Sequence, residues 1–332
     1  MAGYSGKFTH LSQKSMYDSN SKGISYTAGF FILIGFTIAA FLAAALISIP
    51  VWTGMTGLSI NKMEESLTNP AYSNAIKVIQ TITTVIGFFL PALFTAMLLN
   101  RKPMNLLGFK GRINGNQLGL VLLIVISSLL VSASLSYMNE LIPISEKLRT
   151  LFDKWEKEYN EQVEVIIGLN NAFEFMLAIL LIAFIPALCE EVLFRGGMQN
   201  LLNRSTKKPW LSIIIVSLIF SLAHFSFYGF LPRFFLGIML GLIFHLSGRL
   251  WLSILAHFIN NAVAVTAIYI YKLQGKSIKE AIAESEGTWW GMLALPVVIL
   301  LFVWFYNISK KGKEESEIPV TTPDEPGELF SQ

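Results

Sequence analysis

The chain has 332 residues, 53% of them hydrophobic and only 14% charged, with a mean hydropathy of +0.56. Soluble domains carry about 25% charged residues, so this composition excludes an ordinary soluble enzyme or binding module, and length sets a number of membrane spans. The net charge of +3 is small and unevenly placed, and the single cysteine, Cys189, rules out an intramolecular disulfide.

Residues 1–27 are polar, and the apolar run 28–52 is too long for a signal-peptide core, so it reads as a retained first span. Further apolar runs fall at 78–99, 117–138, 172–198, 210–227, 233–247, 250–271 and 289–306. They predict an all-α, polytopic integral membrane protein with about eight transmembrane helices. Lys7, Lys14 and Lys22 precede the first span, and Arg101, Lys102, Lys110 and Arg112 fill the second connection. Arg204, Lys207 and Lys208 follow the fourth span, Arg249 opens the seventh, and Lys310, Lys311 and Lys313 follow the eighth. With eight spans all of these fall on one side, which the positive-inside rule makes cytoplasmic, together with both termini. The expected localisation is the plasma or inner membrane.

The expected organisation is a cytoplasmic segment over 1–27, N-terminal transmembrane helices over 28–138, and an extracytoplasmic loop over 139–171. A transmembrane core over 172–271 comes next, then a loop and last span over 272–309, and a disordered cytoplasmic tail over 310–332. The 139–171 loop holds seven acids and four bases, and Leu148, Leu151, Phe152 and Trp155 recur there at the spacing of an amphipathic surface helix.

The fourth apolar run is uncharged from Phe175 to Cys189 and then carries Glu190, Glu191 and, one turn on, Arg195. Each ionised side chain at the centre of a membrane helix costs roughly 2.5–3.5 kcal/mol on insertion scales, so the charges point to use. Two of the four histidines sit in later spans, in Phe220…His224 and His257…Asn261. A four-residue spacing puts each pair on one helix face. If spans four and five form a hairpin turning near Arg204 to Lys208, Glu190 and His224 lie roughly 20 and 23 Å from the turn, at nearly one level. A carboxylate shielded from bulk water can take a proton from a bound water, with a histidine beside it to hold that water. A second histidine with an asparagine offers donors to an oxyanion. Glu191 precedes Arg195 in the favourable order for a helical ion pair. Pro186 cannot donate to the carbonyl of Ile182, so a kink is expected just before the acids. Gly237 and Gly241 would let another helix approach closely. His245 reads as interfacial and Cys189 as inert packing.

Glu-Glu-x-x-x-Arg, Phe-x-x-x-His and His-x-x-x-Asn in order across three spans resemble the CPBP family of CAAX proteases and bacteriocin-processing enzymes, which includes the type II CAAX prenyl endopeptidases. The resemblance covers roughly residues 170–265 and implies a catalytic core over 172–271 and an intramembrane glutamate-type endopeptidase. By it, Glu190 and His224 activate water, His257 and Asn261 support the oxyanion, and Glu191 and Arg195 serve electrostatically or structurally. No cofactor is expected. The alternative is zinc on Glu190, His224 and His257, though no short spacing such as His-Glu-x-x-His occurs. The partners implied are a membrane-associated protein or peptide substrate and the lipid bilayer, with no nucleic acid. Two other functions fit the same residues: a transporter with an intramembrane Glu/His relay, or a non-proteolytic scaffold or immunity protein of the same family.

Overall fold

The computed structural model describes residues 20–111, 114–167, 171–275 and 288–317. Among these residues the regular structure is helical, apart from a single antiparallel bridge between Ser21 and Asn100. Seven helices are long and apolar enough to cross a membrane: α1 (Tyr26–Thr56), α2 (Pro70–Leu99), α3 (Gly115–Glu140), α5 (Ala172–Thr206), α7 (Phe230–Ser247), α8 (Leu250–Leu273) and α9 (Trp289–Lys310). The amphipathic α4 (Glu146–Ile167) lies between α3 and α5, where the apolar spacing predicts it. The expected fifth span is the shorter α6 (Pro209–Leu222). The chain is an integral membrane protein: α1 turns Phe31, Ile38, Leu42 and Leu46 outward, an apolar surface that only a bilayer would leave unpenalised. Most of the tail expected over 310–332, namely 318–332, lies outside the described residues, as does 1–19 of the N-terminal segment.

Contacts between helix ends sort the connections into two sides. On one, the Lys22 amide donates to Leu99 O (2.9 Å) and Arg204 to the Tyr26 hydroxyl (3.2 Å). There, too, Asn200 donates to Leu106 O (2.5 Å), the Leu250 amide to Gly108 O (3.0 Å), and Gln117 to the Ser309 hydroxyl (2.9 Å). On the other, Ser73 donates to Val165 O (2.8 Å), Asn139 to Phe227 O (2.7 Å), and the Tyr228 hydroxyl to Asp153. Lys22, Arg101, Lys102, Arg204 and Arg249 all belong to the first side, and α4 to the second.

Two features of the helices position the acidic pair and its neighbours. In α5 the α-helical hydrogen bonding gives way to π-helical turns at Ile179–Phe184 and Val192–Gln199, which bracket the two acids. Pro186 is the second residue of the α-helical stretch after the first of these, so the carbonyl it leaves without a partner falls where the helix widens. Pro91 stands in the same relation to a π turn, Val85–Phe89, in α2. Such turns are rare and recur at functional sites. The second feature is the close packing of α6 on α7: a Cβ on Gly237 would stand 2.8 Å from Ser217 Cβ and 3.0 Å from its Cα.

Candidate active site

Glu190 and Glu191 lie about midway along α5, yet their surroundings differ completely. Glu191 is wholly buried and saturated. Arg195 donates to its Oε1 at 2.5 Å, His257 Nδ1 lies 2.9 Å from the same oxygen, and the Ser253 hydroxyl donates to Oε2. Arg195, itself fully buried, also donates to Gly237 O at 3.2 Å, and its guanidinium stacks 4.7 Å over the Phe220 ring. One turn on, Gln199 donates to Gly241 O at 2.9 Å. The two glycines thus bring α7 close enough for its carbonyls to receive a rung from each of two α5 side chains.

Glu190 is the opposite case. Its side chain is 13% exposed, and its buried Oε2 has no hydrogen-bond partner. That oxygen faces His257 Nε2 at 4.0 Å, a gap too long for a hydrogen bond and suited to a bridging water. Because Glu191 can only accept, His257 holds a proton on Nδ1 and turns Nε2 toward Glu190.

His224 lies just beyond the end of α6, where the chain turns through residues 223–229. Its Nδ1 is 2.8 Å from Phe220 O, which leaves Nε2 free of that contact. Phe220 gathers the site: its ring meets His224 and His257 edge-on, with centroids 4.9 and 5.7 Å away, and packs against Phe194 at 5.2 Å. His224 lies within electrostatic reach of both Glu190 and His257. Five of the six residues singled out in the sequence therefore converge. The sixth, Asn261, sits one turn past His257 and accepts from Asn260 at 3.3 Å.

The turn bearing His224 is fastened by residues the sequence does not single out. Asn139 at the end of α3 donates to Phe227 O and accepts from the Leu231 amide (3.2 Å), while Ser221 donates to Phe230 O (2.7 Å). From α4, Glu156 accepts from Ser226 (2.8 Å), and Phe152 stacks on Phe227 with centroids 4.7 Å apart. An apolar cavity of about 310 Å³ opens between α4 and this turn, bordered by Phe152, Trp155, Leu222 and Phe225. Ser253 is the missed residue with a readable signal, since it precedes His257 by four on the same helix face. Asn139 and Gln199 carry none, because a lone polar residue near a span end is ordinary.

Among the described residues no group of three or more His, Cys, Asp or Glu side chains is placed to hold a metal ion. Cys189 is buried.

Residues 172–263 match the family model for the type II CAAX prenyl endopeptidases, described as Rce1-like. No curated protein and no solved structure gives a significant match to the chain. The matched stretch runs from the start of α5 to just past Asn261 and so contains all three motifs. Residues 172–263 are thus similar to the Rce1-like type II CAAX prenyl endopeptidases, and Glu190, Glu191, Arg195, His224 and His257 all lie within that matched stretch.

Proposed function

We infer that the protein is an intramembrane endopeptidase in which Glu190 and His224 activate a water, without a metal, to hydrolyse a peptide bond within or beside the bilayer. The observation that carries this reading is the contrast between the two acids: Glu191 is saturated, while Glu190 has a buried, unpartnered oxygen facing a histidine at 4.0 Å, beyond direct hydrogen-bond reach. The family match gives the reading its chemical class.

In the working state Glu190 is the carboxylate base, His257 is a donor through Nε2, and Glu191 and Arg195 pair with each other. In that state the water gives a proton to Glu190, with Nε2 of His224 accepting its second hydrogen bond, and its oxygen attacks the carbonyl carbon. The oxyanion receives N–H donation from His257 Nε2, whose imidazolium Glu191 supports from the far side, and from the Asn261 amide. Glu190 then passes its proton to the departing amine as the C–N bond breaks. The apolar cavity beside the His224 turn suits a substrate segment that arrives from lipid.

The test is cleavage by the purified protein in liposomes, using a prenylated CAAX peptide and a library of membrane-segment peptides, with and without a strong chelator. Wild type is expected to cleave, and Glu190→Gln and His224→Ala to fall by at least about a hundredfold, the scale of a lost acid–base group. Activity that survives the chelator fits water activation by side chains alone, whereas its loss and restoration by zinc would replace that part of the mechanism. Full cleavage by Glu190→Gln would sink the assignment.

A further inference from the structure

Arg233, in the first turn of α7, lies outside the three motifs and has no role in the proposed hydrolysis. Its guanidinium packs against the turn that bears His224, so closely that a Cβ on Gly229 would collide with its Nη1. The ring of Tyr159 on α4 covers the guanidinium at 5.8 Å. Nη1 is buried without a hydrogen-bond partner, and Arg233 is in no salt bridge among the described residues. The acids on α4 nearest the turn are engaged elsewhere, Asp153 by Tyr228 and Glu156 by Ser226. Its charge nonetheless bears on His224.

This is a charge without a counterpart. The Glu190, Glu191, Arg195 and His257 group forms its ion pairs among its own members, and Arg233 takes part in none of them. An arginine held under α4 with an unsatisfied N–H loses hydration that no protein group replaces. A guanidinium presents a fork of donors matched to a carboxylate, and an arriving carboxylate supplies the partner that Nη1 lacks.

We propose that Arg233 is a substrate-binding residue that recognises a carboxylate of the bound peptide on the His224 side of the cleavage site. The carboxylate is either the C-terminus of the peptide or an acidic side chain. The proposal rests on the peptidase reading for its choice of a peptide, but its test does not require turnover.

The experiment measures binding to full-length Glu190→Gln protein in liposomes, with one apolar reporter peptide in three forms. One form has a free C-terminus, one a C-terminal amide, and one an amide with a single internal glutamate. A carboxylate-bearing form is expected to bind at least about tenfold more tightly than the neutral amide, the scale of a hydrogen-bonded charge pair. The form that gains identifies the source of the carboxylate. Adding Arg233→Gln is expected to bring all three within about twofold, while Arg233→Lys retains part of the preference because it keeps charge and loses the fork. Equal affinity for all three forms, including no binding of any, overturns the proposal, as does a preference that survives Arg233→Gln. Wild-type cleavage of the same peptides separates the two readings: carboxylate-dependent binding without cleavage sinks the peptidase and leaves the carboxylate site standing.

Discussion

Two neighbouring glutamates on one helix divide the work of this site, and the division is physical. Successive residues of a helix point about 100° apart, so Glu191 turns into the wall formed by Arg195, Ser253 and His257 while Glu190 turns toward the gap. Removing one member of a buried ion pair costs about 3–5 kcal/mol, because the other charge is stranded. Glu191→Gln strands Arg195 and also weakens the hold on His257, so its unfolding midpoint in detergent should fall by that equivalent, and cleavage with it. Glu190→Gln removes a charge whose oxygen has no partner, so its stability should stay within about 1 kcal/mol of wild type or rise while cleavage is lost. A comparable loss of stability in both variants would mean that the two acids are not divided in this way. The sequence identifies the pair because charge stands out in an apolar run, but it cannot say which acid is tied. That depends on Ser253 and His257, some sixty residues away, and on a π turn between Glu191 and Arg195 that motif spacing does not register.

Between elements, the decisive contact is the seam where α5 and α6 meet α7. Gly237 and Gly241 permit the approach, and Arg195 and Gln199 hold it through the carbonyls of the same two glycines. Gly237→Ala forces a Cβ against Ser217 Cβ and Cα, so it should destabilise the protein by about 1–3 kcal/mol, the usual cost of overpacking. It should also lower cleavage by displacing the carbonyl that anchors Arg195. Gly119→Ala is the control: nothing lies within 4 Å of a Cβ there, in α3, so it should be neutral or stabilise by about 0.5–1 kcal/mol. Equal stability of the two variants would refute the seam. The small-residue spacing makes this contact legible in advance, whereas the end of the fifth span is not. Apolar residues continue to Phe227, yet the helix stops at Leu222 and Phe225 takes a left-handed backbone at φ 49°. Hydropathy follows the aromatic side chains and cannot see the turn beneath them, which Asn139 and Ser221 satisfy from elsewhere in sequence. The aromatics of this stretch are divided: Phe225 is 80% exposed, while Phe227 stacks on Phe152 of α4.

At the scale of the molecule, the α6 turn fixes where the chemistry stands in the bilayer. At 14 residues, α6 rises roughly 21 Å, short of a hydrocarbon core of about 30 Å. A reversal inside the membrane would be tolerated where the irregular backbone is covered by protein, and α4 with the end of α3 provides that cover. His224 consequently hangs from the α4 side, while Glu190 is carried to it from the basic side on α5. If the basic side faces the cytoplasm, α4 and the cavity beside it face outward. Single cysteines decide the matter, since the native Cys189 is buried and should be silent to a membrane-impermeant maleimide. Lys208→Cys, exposed on the basic side, should label only after permeabilisation, and Lys154→Cys, exposed on α4, should label on intact cells. The reverse pattern would invert the protein, placing α4 and the mouth of the site in the cytoplasm and making the basic side an exception to the charge rule. Substrates would then have to be sought among cytoplasmic, membrane-anchored proteins and not among those exposed on the outer face.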